Sequence, residues 1–143
     1  MLEAMSWIFW AFLSAVFAAM TALFAKVGVA NIDSNLATAI RTTVIVIFTW
    51  AIAFGLEKHN GLAEIGRRSW IFLILSGMCT GLSWLCYFRA LQMGPASSVA
   101  PVDKLSVVFV VIGAWLFLGE KLTLLKAGGA SLIAIGAVIL AFA

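Results

Sequence analysis

Apolar positions along the chain fall into five long runs, with neither the strict alternation of a half-buried strand nor the single stripe of a soluble amphipathic helix. The runs cover about residues 5–25, 34–56, 70–91, 97–118 and 124–143. Each reaches the length of about 20 residues that an α-helix needs to cross a bilayer. The breaks between runs carry helix punctuation. Lys26 closes the first run, and VGVANIDSN (27–35) ends on Asp33, Ser34 and Asn35, all good N-cap residues. The longest polar connection is EKHNGLAEIGRRS (57–69), QMGP (92–95) ends the third run, and GEKLT (119–123) separates the last two. Glu3 is the one charged side chain ahead of the first run, with no basic segment, and the run is longer than the apolar part of a signal peptide. It is therefore expected to remain a helix of the mature protein. The pattern predicts an all-α integral membrane protein: one five-helix transmembrane domain spanning 1–143.

Composition narrows the class further. The chain has 143 residues, 64% apolar and 10% charged, with a mean hydropathy of +1.15. Both a water-soluble domain and a disordered chain are excluded. Net charge is +3, and no basic run exceeds Arg67-Arg68, so the positive balance suits loops at anionic headgroups rather than nucleic acid. Five spans put the termini on opposite sides. The N-terminal side then carries Lys58, Arg67, Arg68, Lys121 and Lys126. The other side carries Lys26 and Arg89, with Arg41 and Lys104 just inside the membrane. This bias favours a cytoplasmic N-terminus only weakly, and a weak bias permits insertion both ways. A multi-pass location in the cell (inner) membrane is expected.

Cys79 and Cys86 lie seven apart in one apolar run without a partner, which reads as small core residues rather than metal ligands or a disulfide. His59 is alone in a polar loop and is expected to be solvated. No G-x-S-x-G, H-E-x-x-H or P-loop is present, and one intramembrane carboxylate cannot supply a catalytic pair. An enzyme, a metal and a cofactor are therefore not expected.

The informative charges are those that lipid should not tolerate. Ionisable groups in the bilayer core are costly unless paired or hydrated, and they mark functional sites by default. Arg41 lies about seven residues into the second run, about 10 Å deep at 1.5 Å per residue. Asp103 and Lys104 lie similarly deep in the fourth run, and Arg89 is near the end of the third. Span alternation assigns all four to one half of the bilayer, with Trp84 and Tyr87 at similar or greater depth. Two readings stand. Asp103 neutralises Arg41 or Lys104 while Arg89 snorkels to the headgroups, or the excess positive charge lines a wet cavity for an anionic or zwitterionic substrate. Asp103 and Lys104, as neighbours on a helix, are expected to pair poorly with each other.

Polar stripes accompany these charges. Ser34, Thr38, Arg41, Thr42, Ile45 and Thr49 share a face of the second helix; Ser76, Thr80, Ser83 and Tyr87 share one on the third. They suit cavity lining and interhelical hydrogen bonding equally. Gly77 and Gly81, and Gly128 and Gly136 with Ala130 and Ala134, are expected to allow close helix or dimer contact. Pro101 either sits in the first turns of the fourth helix or breaks it beside Asp103. Trp7, Trp10, Trp50 and Trp70 fall near run ends, as interfacial anchors do; Trp84 and Trp115 lie well inside theirs.

The second half of the chain carries a recognisable signature: YFRAL (87–91), G-x-A-S (94–97), a Pro-led helix and LGEKLT (118–123). With FAKVG (24–28) and SNLATAIRT (34–42), it resembles the EamA-type domain of the drug/metabolite transporter superfamily over nearly the whole chain. VDKLS (102–106) looks like the short, single-repeat bacterial and archaeal members. The resemblance implies one half of a ten-helix inverted-repeat transporter, so an antiparallel homodimer transporting a small metabolite, expected as an exporter by alternating access. Arg41, Tyr87, Arg89, Asp103 and Lys104 match that subgroup's pattern. Related small multidrug resistance proteins use a glutamate in the middle of helix 1. Here that stretch is FLSAVFAAMTAL (12–23), without an acid, which argues against their proton-coupled export of quaternary cations. Asp103 is the carboxylate left for any coupling. The alternative is an accessory subunit of a membrane complex with no substrate of its own.

Overall fold

A computed structural model describes residues 2–143, with side chains from Trp7 onward; the side chain of Glu3 lies outside the described residues. The chain forms α1 (Leu2–Gly28), α2 (Ser34–Gly55), a 3-10 turn (Lys58–Glu64), α3 (Arg67–Met93), α4 (Ala96–Asp103), α5 (Ser106–Phe117) and α6 (Leu124–Phe142). No strand occurs among the described residues. Five spans are long and apolar enough to cross a membrane: Trp7–Gly28, Ser34–Gly55, Arg67–Met93, Ala96–Phe117 and Leu124–Phe142. The protein is an all-helical, multi-pass membrane protein. Large apolar side chains such as Phe117, Leu124, Leu125 and Phe142 point outward, as the absence of a hydrophobic driving force in lipid allows.

The helices group into two compact units, residues 28–92 and residues 1–27 with 93–143. In the first unit, Asp33 caps α2: its Oδ1 accepts hydrogen bonds from the Asn35 N–H at 2.9 Å and the Leu36 N–H at 3.1 Å. The connection before it is held from α3. Gln92 Nε2 donates to the Val29 carbonyl at 3.1 Å and the Ile32 carbonyl at 2.6 Å. Val29 and Leu91 are sealed beside this link, with Phe88, Ala37 and Ser34 also buried. Gln92→Leu is expected to lower stability by roughly 1–3 kcal/mol, because the carbonyl of buried Val29 loses a donor that water replaces poorly. Thermal unfolding in detergent checks this. Thr43→Val, which removes an exposed hydroxyl bonded only to its own helix, should shift stability by about 0.5 kcal/mol or less.

At the other end of α2, Glu57 adopts a left-handed conformation (φ 54°) and turns the chain back on itself. His59 consequently packs on Phe54, with ring centroids 4.8 Å apart, and its Nδ1 is buried. This corrects the expectation of a solvated histidine. The cysteines also depart from expectation. Cys79 and Cys86 are free thiols and both are exposed.

In the second unit, α6 packs against α4 and α5. Its packing seam is a run of alanines three and four residues apart. Ala130 and Ala137 are buried, and Ala127, Ala134 and Ala141 are half-buried. Lys26 Nζ, at the end of α1, donates to the Gly94 carbonyl at 2.9 Å, just ahead of α4.

The fourth span is interrupted rather than continuous. Pro101 has no N–H, and its ring crowds the preceding turn. Beyond it the Lys104 N–H bonds to the Pro101 carbonyl and the Leu105 N–H to the Val102 carbonyl, each at 3.0 Å. These i→i+3 bonds tighten the backbone into a 3-10 turn before α5 begins. At the far end of α5, Gly119 (φ +68°) takes a conformation that a side chain would strain, and the Glu120 N–H reaches the Ala114 carbonyl at 3.1 Å. Because α5 ends at Phe117, Trp115 lies near the helix end and is half exposed. It belongs with the terminal tryptophans rather than with the packed interior.

Candidate functional site

Arg41 is the eighth residue of α2 and is carried on the helix face that also bears Ser34, Ala37 and Thr38, all three buried. Its guanidinium lies over the Trp84 ring, 4.3 Å from the centroid, and 5.3 Å from that of Phe88. Trp84 and Phe88 are four apart on α3 and so present adjacent faces to α2. Tyr87 is half-buried on the same helix and close enough to interact electrostatically with Arg41. Among the described residues no carboxylate pairs with Arg41. The magnitudes matter here. A cation–π stack contributes about 0.5–2 kcal/mol. An arginine at membrane depth costs at least about 2.5–3.5 kcal/mol. The aromatic seat orients the guanidinium without offsetting its burial, so the outer N–H groups need water or an anion.

Asp103 and Lys104 behave otherwise. Lys104 Nζ donates to Asp103 Oδ2 at 3.1 Å, and both side chains remain substantially exposed. Sequence neighbours on an intact helix diverge by about 100°, which is why a poor pairing was expected. Lys104 sits at the cap of α4 with a helical backbone conformation, and its long side chain reaches back to the neighbouring carboxylate. An exposed pair of this kind contributes about 0–1 kcal/mol. Asp103→Asn should therefore change the unfolding temperature very little. A large loss of stability would show that Asp103 holds the fold together in a way this contact does not explain.

Arg89 is exposed near the end of α3 and donates to Gln92 Oε1 at 3.3 Å. With Asp33, Ser34, Asn35, Leu85 and Cys86 it lines an open cleft of about 530 Å³. It lies outside the Arg41 stack, on a different face of α3.

The hydroxyl stripes donate to their own helices. Thr38 Oγ1 bonds to the Ser34 carbonyl and Thr42 Oγ1 to the Thr38 carbonyl, both at 2.8 Å; Thr80 Oγ1 bonds to the Ser76 carbonyl at 2.9 Å. These protons do not bridge helices, and each oxygen keeps acceptor capacity. Thr38 is buried and Thr42 half-buried on the Arg41 face, whereas Thr80 and Ser83 are exposed.

Gly77 and Gly81 lie on the Trp84 face of α3, yet a Cβ built on either meets no atom within 4 Å. The same holds at Gly128 and Gly136, which face away from the alanine seam of α6. None of the four is a point of close helix approach inside its own unit. Sequence reasoning missed Phe88, the second aromatic under Arg41, and Gln92, the tie to the α1–α2 connection. The four-residue spacing from Trp84 was the available signal for Phe88; nothing in the pattern singled out Gln92.

The chain matches the EamA-like transporter family over residues 5–142. A protein of Sinorhizobium sp described as an uncharacterized transporter in the cobO 3' region is 57% identical over 136 residues, which is 95% of this chain and 96% of that protein. The uncharacterized transporter YvbV of Bacillus subtilis (strain 168) is 28% identical over 120 residues, 84% of this chain but 39% of that protein. No solved structure matches the chain. The match across nearly the whole sequence and the five spans agree, and the protein belongs to the EamA-like transporter family.

Proposed function

We propose that the protein exports a small anionic or zwitterionic metabolite across the inner membrane, by alternating access between two antiparallel copies. The observation that carries this reading is Arg41, oriented on Trp84 and Phe88 with no carboxylate partner among the described residues. A substrate carboxylate or phosphate is the group that such a guanidinium accepts. Trp84 and Tyr87 form the aromatic wall beside it, and Thr38 and Thr42 offer acceptors to a substrate ammonium. By span order alone, Arg89, Asp103 and Lys104 share this half of the bilayer. Arg89 and Lys104 draw in the anion, and Asp103 either neutralises Lys104 or carries a coupled proton. Gly77, Gly81, Gly128 and Gly136, unoccupied inside their own units, are assigned to contacts between copies or to the transport path. The aligned stretch covers 39% of the Bacillus subtilis relative, and a second copy is proposed to supply the remainder. An inverted pair supplies the repeat symmetry found in many transporters.

Reconstitution of the purified protein alone in liposomes tests the reading. Wild type is expected to move radiolabelled small organic anions or amino acids, with no other polypeptide present. Absence of flux across such a panel, with assembly into a larger membrane complex retained, would favour an accessory subunit instead.

A further inference from the structure

Between α5 and α6 runs an open groove of about 330 Å³. Its walls are Val107, Val110, Val111, Ala114, Gly129 and Ile133, all apolar. Its rim, at the end of α5 and the start of α6, is polar and carries Glu120, Lys121 and Lys126. Lys126 Nζ is paired to Glu120 Oε2 at 3.0 Å. Lys121 is exposed and has no ion-pair partner among the described residues, so the rim keeps one positive charge. Trp115, half exposed at the same level, also lines the groove. A tryptophan and a lysine at a helix end mark the headgroup level, where anionic lipids attract basic side chains. An apolar trough descending from a single free cation is complementary to one molecule: an acyl chain joined to a phosphate.

We propose that this groove is a binding site for one anionic phospholipid, with its headgroup phosphate on Lys121 and an acyl chain along the valine wall and Gly129. The site is distinct from the Arg41 stack and does not rest on its assignment. Gly129 lines the trough, and a Cβ built there meets nothing within 4 Å, so a side chain added at this position starts in the open space of the groove. It also replaces glycine in a helix, which raises helix propensity. Gly129→Leu is therefore a blocking variant whose helix should still form.

Native mass spectrometry of purified protein exposed to phosphatidylglycerol and phosphatidylcholine reads the site directly. Wild type is expected to retain one phosphatidylglycerol per chain, in preference to phosphatidylcholine by about fivefold for one lysine at the headgroup level. Lys121→Gln should bring the two lipids to parity, and Gly129→Leu should lose both at an unfolding temperature no lower than that of wild type. Equal retention of the two lipids by wild type would overturn the proposal. So would phosphatidylglycerol retention by Gly129→Leu at the wild-type level. A change in dimer population in Gly129→Leu, with lipid retention untouched, would instead assign the groove to a contact between copies.

Discussion

Arg41→Met is expected to abolish most substrate flux in liposomes while leaving the protein at least as stable as wild type. The two effects have separate physical origins. A charged hydrogen bond to a substrate anion contributes about 1.5–3 kcal/mol, so its loss weakens recognition by about 10- to 150-fold. Stability moves the other way. Methionine fills the space over Trp84 and Phe88 without a desolvated charge, and placing an arginine at depth costs more than its stack on those rings returns. Arg41→Lys should fall between. It keeps the charge but loses the planar group that lies on the rings and grips a carboxylate with two bonds. Flux assays paired with thermal unfolding check all three proteins. Wild-type flux in Arg41→Met would remove Arg41 from the transport path. A fall in flux that only tracks a fall in unfolding temperature would make the arginine structural.

The second large effect concerns orientation. With positive charge biased only weakly between the two sides, the chain should insert both ways, and a cysteine placed at Asn60 in a variant lacking Cys79 and Cys86 should label from both sides of the membrane. Adding Glu57→Lys and Glu64→Lys drives that connection to the cytoplasm. Removing charge with Lys58→Ala, Arg67→Ala and Arg68→Ala, together with Asn31→Lys, drives it out. Each set alone should transport at background level, because an antiparallel pair cannot form from one orientation. Co-expression of the two sets should restore flux. Labelling of wild type from one side only, or full activity of either set alone, would rule out the antiparallel pair.

The span architecture was legible because lipid leaves few choices. A chain with no water to satisfy its backbone must close every hydrogen bond within a helix, so run length alone locates the spans. The depth of Arg41 followed from counting along one run, and the resemblance rested on short motifs that survive in order. Pro101 was legible as a possible interruption, but not the form it took. Whether the backbone opens or tightens depends on which carbonyls accept the Lys104 and Leu105 N–H groups, and these turned out to be three residues back.

Side-chain partners were decided by three-dimensional contact. Asp103 and Lys104 pair although they are sequence neighbours, through the reach of the lysine side chain at the cap of α4. The small residues of α6 split by angle: the alanines meet α4 and α5, and Gly128 and Gly136 turn away. His59 is held on Phe54 by a left-handed turn at a residue that is not glycine, which no composition rule would mark. The sequence by itself determined that this is a five-span membrane protein of transporter type, with an arginine deep in its second span. Hydropathy and helix length are properties of single segments, and lipid reads them one at a time. Only the tertiary structure decided that the arginine rests on Trp84 and Phe88, that Gln92 ties down the α1–α2 connection, and that an apolar groove ends at Lys121. Those are relations between segments, set by the angle at which each helix presents its residues to the next.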